Sequence, residues 1–298
     1  MAQYNAPVET KPYHYENFPV GSWLVPAVHR PVIHEIYRFA RYADDIADEG
    51  NKSSAERIAA LENLLSMLTG ASKSGVASSS DQVAEKITSD LLQRFDQKLH
   101  APIKQAIFKQ LGLLVDAFIQ DARNTPDIGL SPAIMFSNQA ELMLYCSRSA
   151  NPVGRMMLIL FDRYNGHSET DLTLHSDAIC SGLQWLNFMQ DVASDAQRKR
   201  IYVPRDELKT RRSPSGIQDV SPAVILNQTH RARALLASGY PLLKSVPLRL
   251  SLELRAIMAG GLSLADKIIA ARGDTISIRP KLSSRDLPLL ITRFVMPS

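Results

Sequence analysis

The chain has 298 residues, of which 45% are hydrophobic and 21% are charged, a composition typical of a globular protein with a large core. The net charge of +4 is only mildly basic, and no fold signature or aromatic-interleaved basic patch accompanies it, so a nucleic-acid partner is not expected. The two cysteines, Cys146 and Cys180, lie in apolar helical patterns and offer no disulfide framework, which suits a reducing compartment.

No stretch of the chain approaches the roughly 20 apolar residues that a membrane-spanning helix requires, and residues 1–11 lack the apolar segment of a secretory signal. A cytoplasmic protein is therefore expected, either soluble or attached peripherally to the inner face of the membrane. Because the composition does not change along the chain, a single domain over residues 1–298 is predicted, with residues 1–12 irregular.

The N-terminal part of the chain predicts two helices separated by a short break. An aromatic and polar lead-in at residues 13–26 precedes a helix predicted over residues 31–48, which begins on a proline. A Ser-x-x-Glu capping box opens a second helix over residues 53–68. Residues 69–80 are rich in Gly, Ser and Ala and predict a flexible loop.

The middle of the chain predicts further helices. Those over residues 81–97 and 102–121 carry apolar residues at helical spacing and are interpreted as structural. A longer helix is predicted over residues 136–164, but Pro152 interrupts it. Because proline has no N–H to donate to the carbonyl of Arg148, four residues back, a kink is predicted there.

The C-terminal part predicts a helix over residues 171–198, a charged loop at 209–220, and helices over 221–237 and 247–271. The tail, residues 279–298, contains short apolar clusters and prolines and has no assigned structure. No segment shows convincing strand alternation, so the predicted fold class is all-α, with eight or more helices.

Charged residues crowd the end of the first predicted helix. Asp44 and Asp48 lie one turn apart on one helix face, roughly 5–6 Å between Cβ atoms, where two carboxylates repel each other. Arg41 lies on the same side of the helix. Two acids and one base at a common point suit a phosphate group carried by a divalent metal ion.

A second acidic pattern lies in the helix predicted over residues 171–198. Its members share one helix face and all end in oxygen: Gln184, Asn187, Asp191 and Asp195. Either pattern alone also fits a solvated helix face, but the two together, each in an apolar helix, favour a functional site. No cluster of His and Cys residues offers a zinc site as an alternative.

Magnesium is the metal that this chemistry indicates. Mg²⁺ keeps several waters and takes one or two carboxylates plus substrate phosphate, so two opposed acidic helices with a diphosphate between them would hold several ions. The predicted metal ligands are Asp44, Asp48, Asp191 and Asp195.

Three separated motifs resemble the squalene/phytoene synthase family in order and spacing, over about residues 14–271. They are Arg41-x-x-Asp44-Asp45-x-x-Asp48, Tyr145-Cys146 leading to Ala150-Asn151-Pro152-Val153-Gly154, and Gln184-x-x-Asn187-x-x-x-Asp191-x-x-x-Asp195. Within the family, the runs at residues 14–20 and 39–50 resemble the bacterial hydroxysqualene synthases of hopanoid biosynthesis.

The resemblance implies an isoprenoid-synthase-type helical bundle around a central apolar channel, with Mg²⁺ on the four aspartates holding a substrate diphosphate. It also implies that Tyr145 is a catalytic tyrosine, although a buried tyrosine with a satisfied hydroxyl is the alternative. Arg200 and Tyr202 are expected to border the diphosphate pocket, or else residues 198–200 form a solvated helix end. The further substrate-binding positions are Asn17, Phe18, Tyr37, Arg41, Gln184 and Asn187.

One departure from the family pattern is informative. Gln190 stands where squalene and phytoene synthases usually carry Arg, so a phosphate contact is expected to be missing. This argues against the first condensation, which handles two diphosphates, and favours an enzyme that receives presqualene diphosphate.

The function expected from the resemblance is the Mg²⁺-dependent conversion of presqualene diphosphate and water to hydroxysqualene and diphosphate, without NADPH. Two alternatives remain: a presqualene diphosphate or phytoene synthase, and a non-catalytic helical lipid-binding or assembly protein. The carbonyl of Arg148 either steadies the carbocation or holds the quenching water, or the kink only shapes packing. The apolar run at residues 287–291 docks on a membrane surface or a neighbouring pathway enzyme, or packs back on the domain.

Overall fold

The computed structural model describes residues 25–48, 52–70, 79–126, 130–161, 169–208 and 216–296. The helices in these ranges are α1 Arg30–Asp48, α2 Ser54–Leu68, α3 Ser79–Lys98, α4 Ala101–Asn124, α5 Gln139–Ser149, α6 Asn151–Phe161, α7 Glu169–Gln190, α8 Val192–Gln197, α9 Pro222–Ser238, α10 Leu242–Ser245, α11 Leu248–Ala270 and α12 Leu287–Val295. The strands are β1 Ala133–Ile134 and β2 Arg200–Ile201.

The first acidic motif lies on a helix that the sequence predicts well. Helix α1 spans Arg30–Asp48 and buries an apolar face that includes Phe39, Ala43 and Ala47. It packs against α2, α3 and α4, so the opposite side of its last two turns carries the charged residues. The predicted boundaries of α1 are confirmed.

Two helix starts are also confirmed by their caps. The Ser53 backbone N–H donates to Glu56 Oε2 at 2.8 Å, and the Glu56 N–H donates back to Ser53 Oγ at 3.3 Å. At α9, the Val224 N–H donates to Ser221 Oγ at 3.4 Å, with Pro222 in the first turn. Each cap gives a partner to an N–H of the first helical turn that would otherwise be unpaired.

The long helix predicted over 136–164 is two helices. Its start is Gln139, because Asn138 caps the Glu141 N–H at 3.1 Å, so the predicted start at 136 is wrong. The predicted kink is a full boundary at Ala150, whose N–H still bonds the Cys146 carbonyl at 3.1 Å. The Val153 N–H then bonds the Ala150 carbonyl at 3.1 Å, a tighter turn that lets the chain pass Pro152.

The helix of the second acidic motif also breaks, which the prediction of one helix over 171–198 missed. Asp191 has φ −104° and ψ 15° and separates α7 from α8. Hydrogen bonds from Asp191 N–H to Asn187 O at 2.9 Å and from Asp195 N–H to Asp191 O at 2.8 Å nevertheless cross the break. The helical register therefore persists, and the motif stays on one side of the chain.

Helix α7 is anchored against α9 on its other face. A Cβ at Gly182 would lie 2.7 Å from the backbone nitrogen of Leu236, so only glycine permits this close approach. The buried Trp185 indole donates to Gln228 Oε1 at 3.0 Å. These contacts fix the rotation of α7, which turns the second acidic motif away from α9.

A short parallel pairing corrects the expectation of a chain without strands. The Ala133 N–H donates to the Lys199 carbonyl and the Met135 N–H to the Ile201 carbonyl, each at 2.9 Å. Each strand has two residues, too few for an alternating pattern to be visible in the sequence. The pairing holds Arg200 at a fixed place beside the end of α1.

The tail that had no assigned structure forms α12, which packs against α11. Arg293 donates to Ser263 Oγ at 3.0 Å and also pairs with Asp266. Helix α12 therefore packs back on the domain, but Leu287, Leu289 and Ile291 of the apolar run at residues 287–291 stay exposed, so docking of this run on a membrane surface or a neighbouring enzyme stays a prediction. Across the described ranges, none of the helices combines the length and apolar character needed to cross a membrane.

Candidate active site

The two acidic motifs face one cavity. It has a volume of about 300 Å³, and its walls include Asp44 and Asp48 from α1 and Asp191 and Asp195 from the α7–α8 junction. The other predicted residues that line it are Tyr145, Gln184, Asn187, Arg200 and Tyr202. Residues from distant parts of the sequence therefore meet at one site, which we call the acidic cavity.

An apolar cavity of about 410 Å³ adjoins the acidic cavity. Its walls come mainly from apolar residues of α1, α6, α7 and α11, and the predicted residues Tyr37 and Arg41 are among them. Asp44, Phe118 and Ser149 line both cavities. The fold therefore provides an apolar channel with a polar, acidic end.

The first acidic motif is held by guanidinium groups. Arg41 lies 3.2 Å from Asp44 and 2.8 Å from Asp45. The pKa of Asp44 is raised to about 7, mainly by burial and then by the charge of Asp48, while Arg41 acts in the opposite direction. Arg41 offsets part of the repulsion that the sequence predicts between the two acids.

Arg200 supplies a second, buried cation beside this motif. Its Nη1 lies 2.6 Å from Asp48 Oδ1, and its Nε donates to Thr125 Oγ1 at 2.7 Å. Arg200 is only 4% exposed, so the alternative of a solvated helix end is wrong for this residue. The description as a solvated helix end does fit Arg198, whose side chain is 62% exposed and lies 3.3 Å from Asp48.

The second acidic motif receives its cation from the C-terminal segment. Both nitrogens Nε and Nη2 of Arg279 donate to the Asp191 carboxylate, in a bidentate pair. Burial raises the pKa of Asp195 to about 8, Asp191 adds to the rise, and Arg198 opposes it. Sequence analysis missed Arg279, because no local spacing links it to a motif 88 residues earlier.

Gln190 does not line the acidic cavity, in agreement with the predicted absence of a phosphate contact at this position. Its side chain is 1% exposed, and Nε2 donates to the Pro280 carbonyl at 2.5 Å. Position 190 therefore contacts the C-terminal segment. From the same segment, the guanidinium of Arg279 pairs with Asp191 at this end of the cavity.

The wall between the two acidic motifs is aromatic. Tyr202 stacks on Phe188 with ring centroids 4.0 Å apart and an angle of 12° between the planes. Tyr145 packs near both rings, with centroid distances of 6.2 Å to Tyr202 and 6.1 Å to Phe188. All three residues line the acidic cavity, and the face of an aromatic ring carries negative electrostatic potential.

Tyr145 is buried and donates its hydroxyl hydrogen to Asp121 Oδ2 at 2.6 Å. Burial raises the pKa of Tyr145 well above its usual range, and the charge of Asp121 adds to this. Asp121 also lines the acidic cavity, but sequence analysis assigned its helix a structural role and missed it. The local signal for Asp121 is that it is an acid on the otherwise mainly apolar, buried face of α4.

The donor set fits Mg²⁺ only if a phosphate ligand completes it. Over the ranges that the structure describes, no group of three His, Cys, Asp or Glu side chains is placed to hold a metal ion by itself. The four aspartates instead line the cavity from α1 and from the α7–α8 junction. Magnesium commonly binds through one or two carboxylates, waters and substrate phosphates, which this divided arrangement allows.

Two predicted substrate-binding residues lie outside the described residues. They are Asn17 and Phe18, together with the rest of the run at 14–20 that carries part of the family resemblance.

Comparison with protein families agrees with the arrangement of the site. The family model for squalene/phytoene synthase matches residues 11–286. The chain belongs to the squalene/phytoene synthase family. The isoprenoid-synthase fold and the family assignment predicted from the three motifs are thereby confirmed.

The chain is also similar in sequence to individual proteins of this family. The chain is 35% identical over 201 residues to the hydroxysqualene synthase of Zymomonas mobilis, a match that spans 67% of this chain and 58% of that protein. It is 31% identical over 287 residues to the hydroxysqualene synthase of Sinorhizobium fredii, covering 93% of this chain and 86% of that protein. The presqualene diphosphate synthase of Zymomonas mobilis is 27% identical over 228 residues, or 75% of this chain and 68% of that protein.

Solved structures share the fold. Squalene synthase HpnC from Alicyclobacillus acidocaldarius superposes with a TM-score of 0.63 at 27% identity, over 87% of this chain and 90% of that one. A dehydrosqualene synthase in complex with ligand superposes with a TM-score of 0.62 at 19% identity, over 91% of this chain and 87% of that one. The second likeness concerns the fold alone.

Proposed function

We propose that this protein converts presqualene diphosphate and water to hydroxysqualene and diphosphate, in a Mg²⁺-dependent reaction that needs no NADPH. The observation that carries the proposal is the junction of an acidic cavity with an apolar one at Asp44, Phe118 and Ser149. A molecule with a charged diphosphate and long hydrocarbon chains matches both parts at once. The relatives named hydroxysqualene synthase, at 31% to 35% identity, support the choice within the family.

Asp44, Asp48, Asp191 and Asp195 would hold the metal ions. When bound, Mg²⁺ would neutralise charge on the diphosphate and so make it a better leaving group. The guanidinium of Arg41, 3.2 Å from Asp44, adds positive charge at the boundary between the two cavities. The substrate's C–O bond then breaks, and both bonding electrons leave with the diphosphate.

The apolar cavity protects the carbocation that remains. Its walls are mainly apolar and so limit the number of waters that reach the cation. In the adjoining acidic cavity, the stacked rings of Tyr202 and Phe188 add aromatic surface, which attracts positive charge at a ring face. Addition of one water to the rearranged cation gives the alcohol and releases one proton, with no change in oxidation state to require a reductant.

The test is an assay of the purified protein with presqualene diphosphate and Mg²⁺ in the absence of NADPH. We expect hydroxysqualene and one equivalent of diphosphate. Product formed from farnesyl diphosphate alone would instead favour a presqualene diphosphate or phytoene synthase. No turnover of either substrate by folded protein would favour a non-catalytic helical lipid-binding or assembly protein.

A further inference from the structure

Asp121 is a buried carboxylate whose place in the site needs a chemical explanation. It lies near the end of α4, is 4% exposed and lines the acidic cavity. Its Oδ2 accepts the Tyr145 hydroxyl at 2.6 Å, whereas within the described part of the chain its Oδ1 is buried without a hydrogen-bond partner. A buried carboxylate oxygen without a hydrogen-bond partner makes the ionised form costly, which favours a carboxyl group that can take up a proton.

The neighbouring charges stabilise the ionised form of Asp121 only weakly. Arg200 lies 3.9 Å from Asp121 Oδ2, beyond a close contact, and directs the same nitrogen to Asp48 at 2.6 Å. Burial raises the pKa of Asp121 to about 6, while Arg200 and then the Tyr145 hydrogen bond lower it and Asp48 raises it. Asp121 is therefore mostly ionised at neutral pH and still able to accept a proton.

The proposed reaction releases a proton that this pair is placed to receive. When the water oxygen forms its C–O bond to the carbocation, one O–H bond of that water must break. The four aspartates of the acidic motifs would be occupied with metal ions. Tyr145 lines the same cavity, and because its hydrogen points to Asp121, its oxygen has lone pairs to offer to the water.

We propose that Tyr145 and Asp121 form a proton relay that deprotonates the quenching water, an assignment that rests on the proposed function. The water gives a proton to the Tyr145 oxygen as the Tyr145 hydrogen moves to Asp121 Oδ2. The carbon gains the C–O bond, the tyrosine ends as a neutral phenol, and the carboxylate ends as a carboxylic acid. No electrons are transferred to or from a cofactor. The relay selects the alcohol over alkenes, which form when the cation loses a proton from carbon.

The experiment compares wild-type protein with Asp121→Asn and measures two quantities in each reaction. One is the rate of diphosphate release, and the other is the share of alcohol among all C30 products. The new amide oxygen can still accept the Tyr145 hydrogen bond but cannot take the proton. We expect the alcohol share among the products of each turnover to fall by at least about tenfold, whatever the rate of diphosphate release. The matched control is Asp116→Asn, an exposed acid on the same helix, which should change neither quantity.

A pH series separates a relay from a purely structural role. The groups that face Asp121 are Asp48 of α1, Tyr145 of α5, and Arg200 and Tyr202 of the β2 segment. With wild-type protein, the alcohol share should rise with pH through about 6, as Asp121 loses its proton. With Asp121→Asn the share should not depend on pH. The share is a ratio of products formed after diphosphate leaves, so pH effects on metal binding, which change the rate, largely cancel.

The outcomes distinguish the relay from the proposed function. An unchanged alcohol share at every pH in Asp121→Asn, with diphosphate release retained, would overturn the relay. If Asp121→Asn does not fold, Tyr145→Phe decides the question, since it should lower the alcohol share in the same way. Loss of diphosphate release in both folded variants would overturn the relay in favour of a structural role. A wild-type protein that forms no hydroxysqualene from presqualene diphosphate would overturn the proposed function itself.

Discussion

The two acidic walls of the cavity are built in different ways. Asp44 and Asp48 lie on one continuous helix, and both are held by guanidinium groups, one from the same helix turn and one from the buried Arg200. Asp191 instead sits at a helix break, and its cation, Arg279, comes from the C-terminal segment. The first wall thus contains a pair with a buried cation, Arg200 with Asp48, besides the partly exposed pair of Arg41 with Asp44, whereas the pair that holds Asp191 is partly exposed.

Because of this difference, the two walls should respond differently to the loss of a charged partner and to the binding of metal and diphosphate. A buried cation such as Arg200 has no access to water if its partner is lost. Loss of either charge of the Arg200–Asp48 pair should therefore destabilise the folded protein. The Arg279 side chain is 38% exposed and can exchange its partner for solvent. The second wall should therefore be the one that rearranges when metal and diphosphate bind.

The largest expected effect comes from removing one carboxylate charge from each wall. In the variant Asp44→Asn plus Asp191→Asn, we expect kcat/KM for presqualene diphosphate to fall by at least about 10³-fold, because charge stabilisation of a leaving group supplies several kcal/mol. Steady-state kinetics with release of diphosphate as the readout would measure it. Asp206→Asn, at an exposed position outside both cavities, is the matched control. Retained activity in the double variant would mean that the acidic walls do not bind the diphosphate.

The next effect is on stability and tests the first wall. Arg200→Met removes the cation 2.6 Å from Asp48, which leaves Asp48 only the exposed Arg198 and takes the neighbouring cation from the buried Asp121. We expect a loss of about 3–5 kcal/mol in the free energy of unfolding, the usual cost of breaking a buried pair. Denaturant unfolding of the metal-free protein would measure it. A loss below about 1 kcal/mol, the usual value for an exposed pair, would contradict the distinction between the two walls.

The pH dependence of magnesium binding involves both walls. Burial raises the pKa of Asp44 to about 7 and that of Asp195 to about 8, so metal-free protein holds protons that Mg²⁺ must displace. Between the unfolded pKa, near 4, and about 8, the folded state binds more protons than the unfolded one. The metal-free protein should therefore lose stability as pH rises, while Mg²⁺ binding tightens.

Calorimetry of Mg²⁺ binding with diphosphate, in two buffers of different ionisation enthalpy, tests this linkage. We expect proton release at pH 7 that fades above about pH 8.5, together with affinity that rises over the same range. Thermal unfolding with and without Mg²⁺ gives an independent readout, since the stabilisation by metal should grow with pH. Binding that releases no protons at any pH would contradict the raised pKa values.

The smallest expected effect tests the second wall. Arg279→Met removes an exposed pair, so we expect a change of at most about 1 kcal/mol in the free energy of unfolding. Because Asp191 then has no guanidinium to release, Mg²⁺ should bind in the presence of diphosphate at least as tightly as to wild type. A loss of stability as large as that of Arg200→Met would show that the walls are not built differently.

Local sequence patterns predicted the parts of the site whose geometry is local. Helical spacing placed Asp44 beside Asp48 and kept Asn187, Asp191 and Asp195 on one side, and all of these residues line the cavity. The break at Asp191 was not predictable, because the helical hydrogen bonds continue across it and the spacing is unchanged.

Such local patterns could not predict contacts between residues that are far apart in the sequence. Asp121 meets Tyr145 across 24 residues, and Arg279 meets Asp191 across 88, so neither pairing leaves a periodic signal. The contact of Gln190 is also long-range, since its partner Pro280 lies 90 residues away in the tail. The four aspartates of the acidic motifs were thus predictable from sequence, whereas Arg279, which pairs with Asp191, and Asp121, which accepts from Tyr145, were not.

The central claim is that the two acidic walls act together on one diphosphate at the end of an apolar channel. A crystal structure with Mg²⁺ and inorganic diphosphate tests it most directly. We expect diphosphate between α1 and the α7–α8 junction, with Mg²⁺ ions bound by Asp44 or Asp48 on one side and by Asp191 or Asp195 on the other. Diphosphate held outside this cavity, or metal ions bound by one wall alone, would contradict the claim.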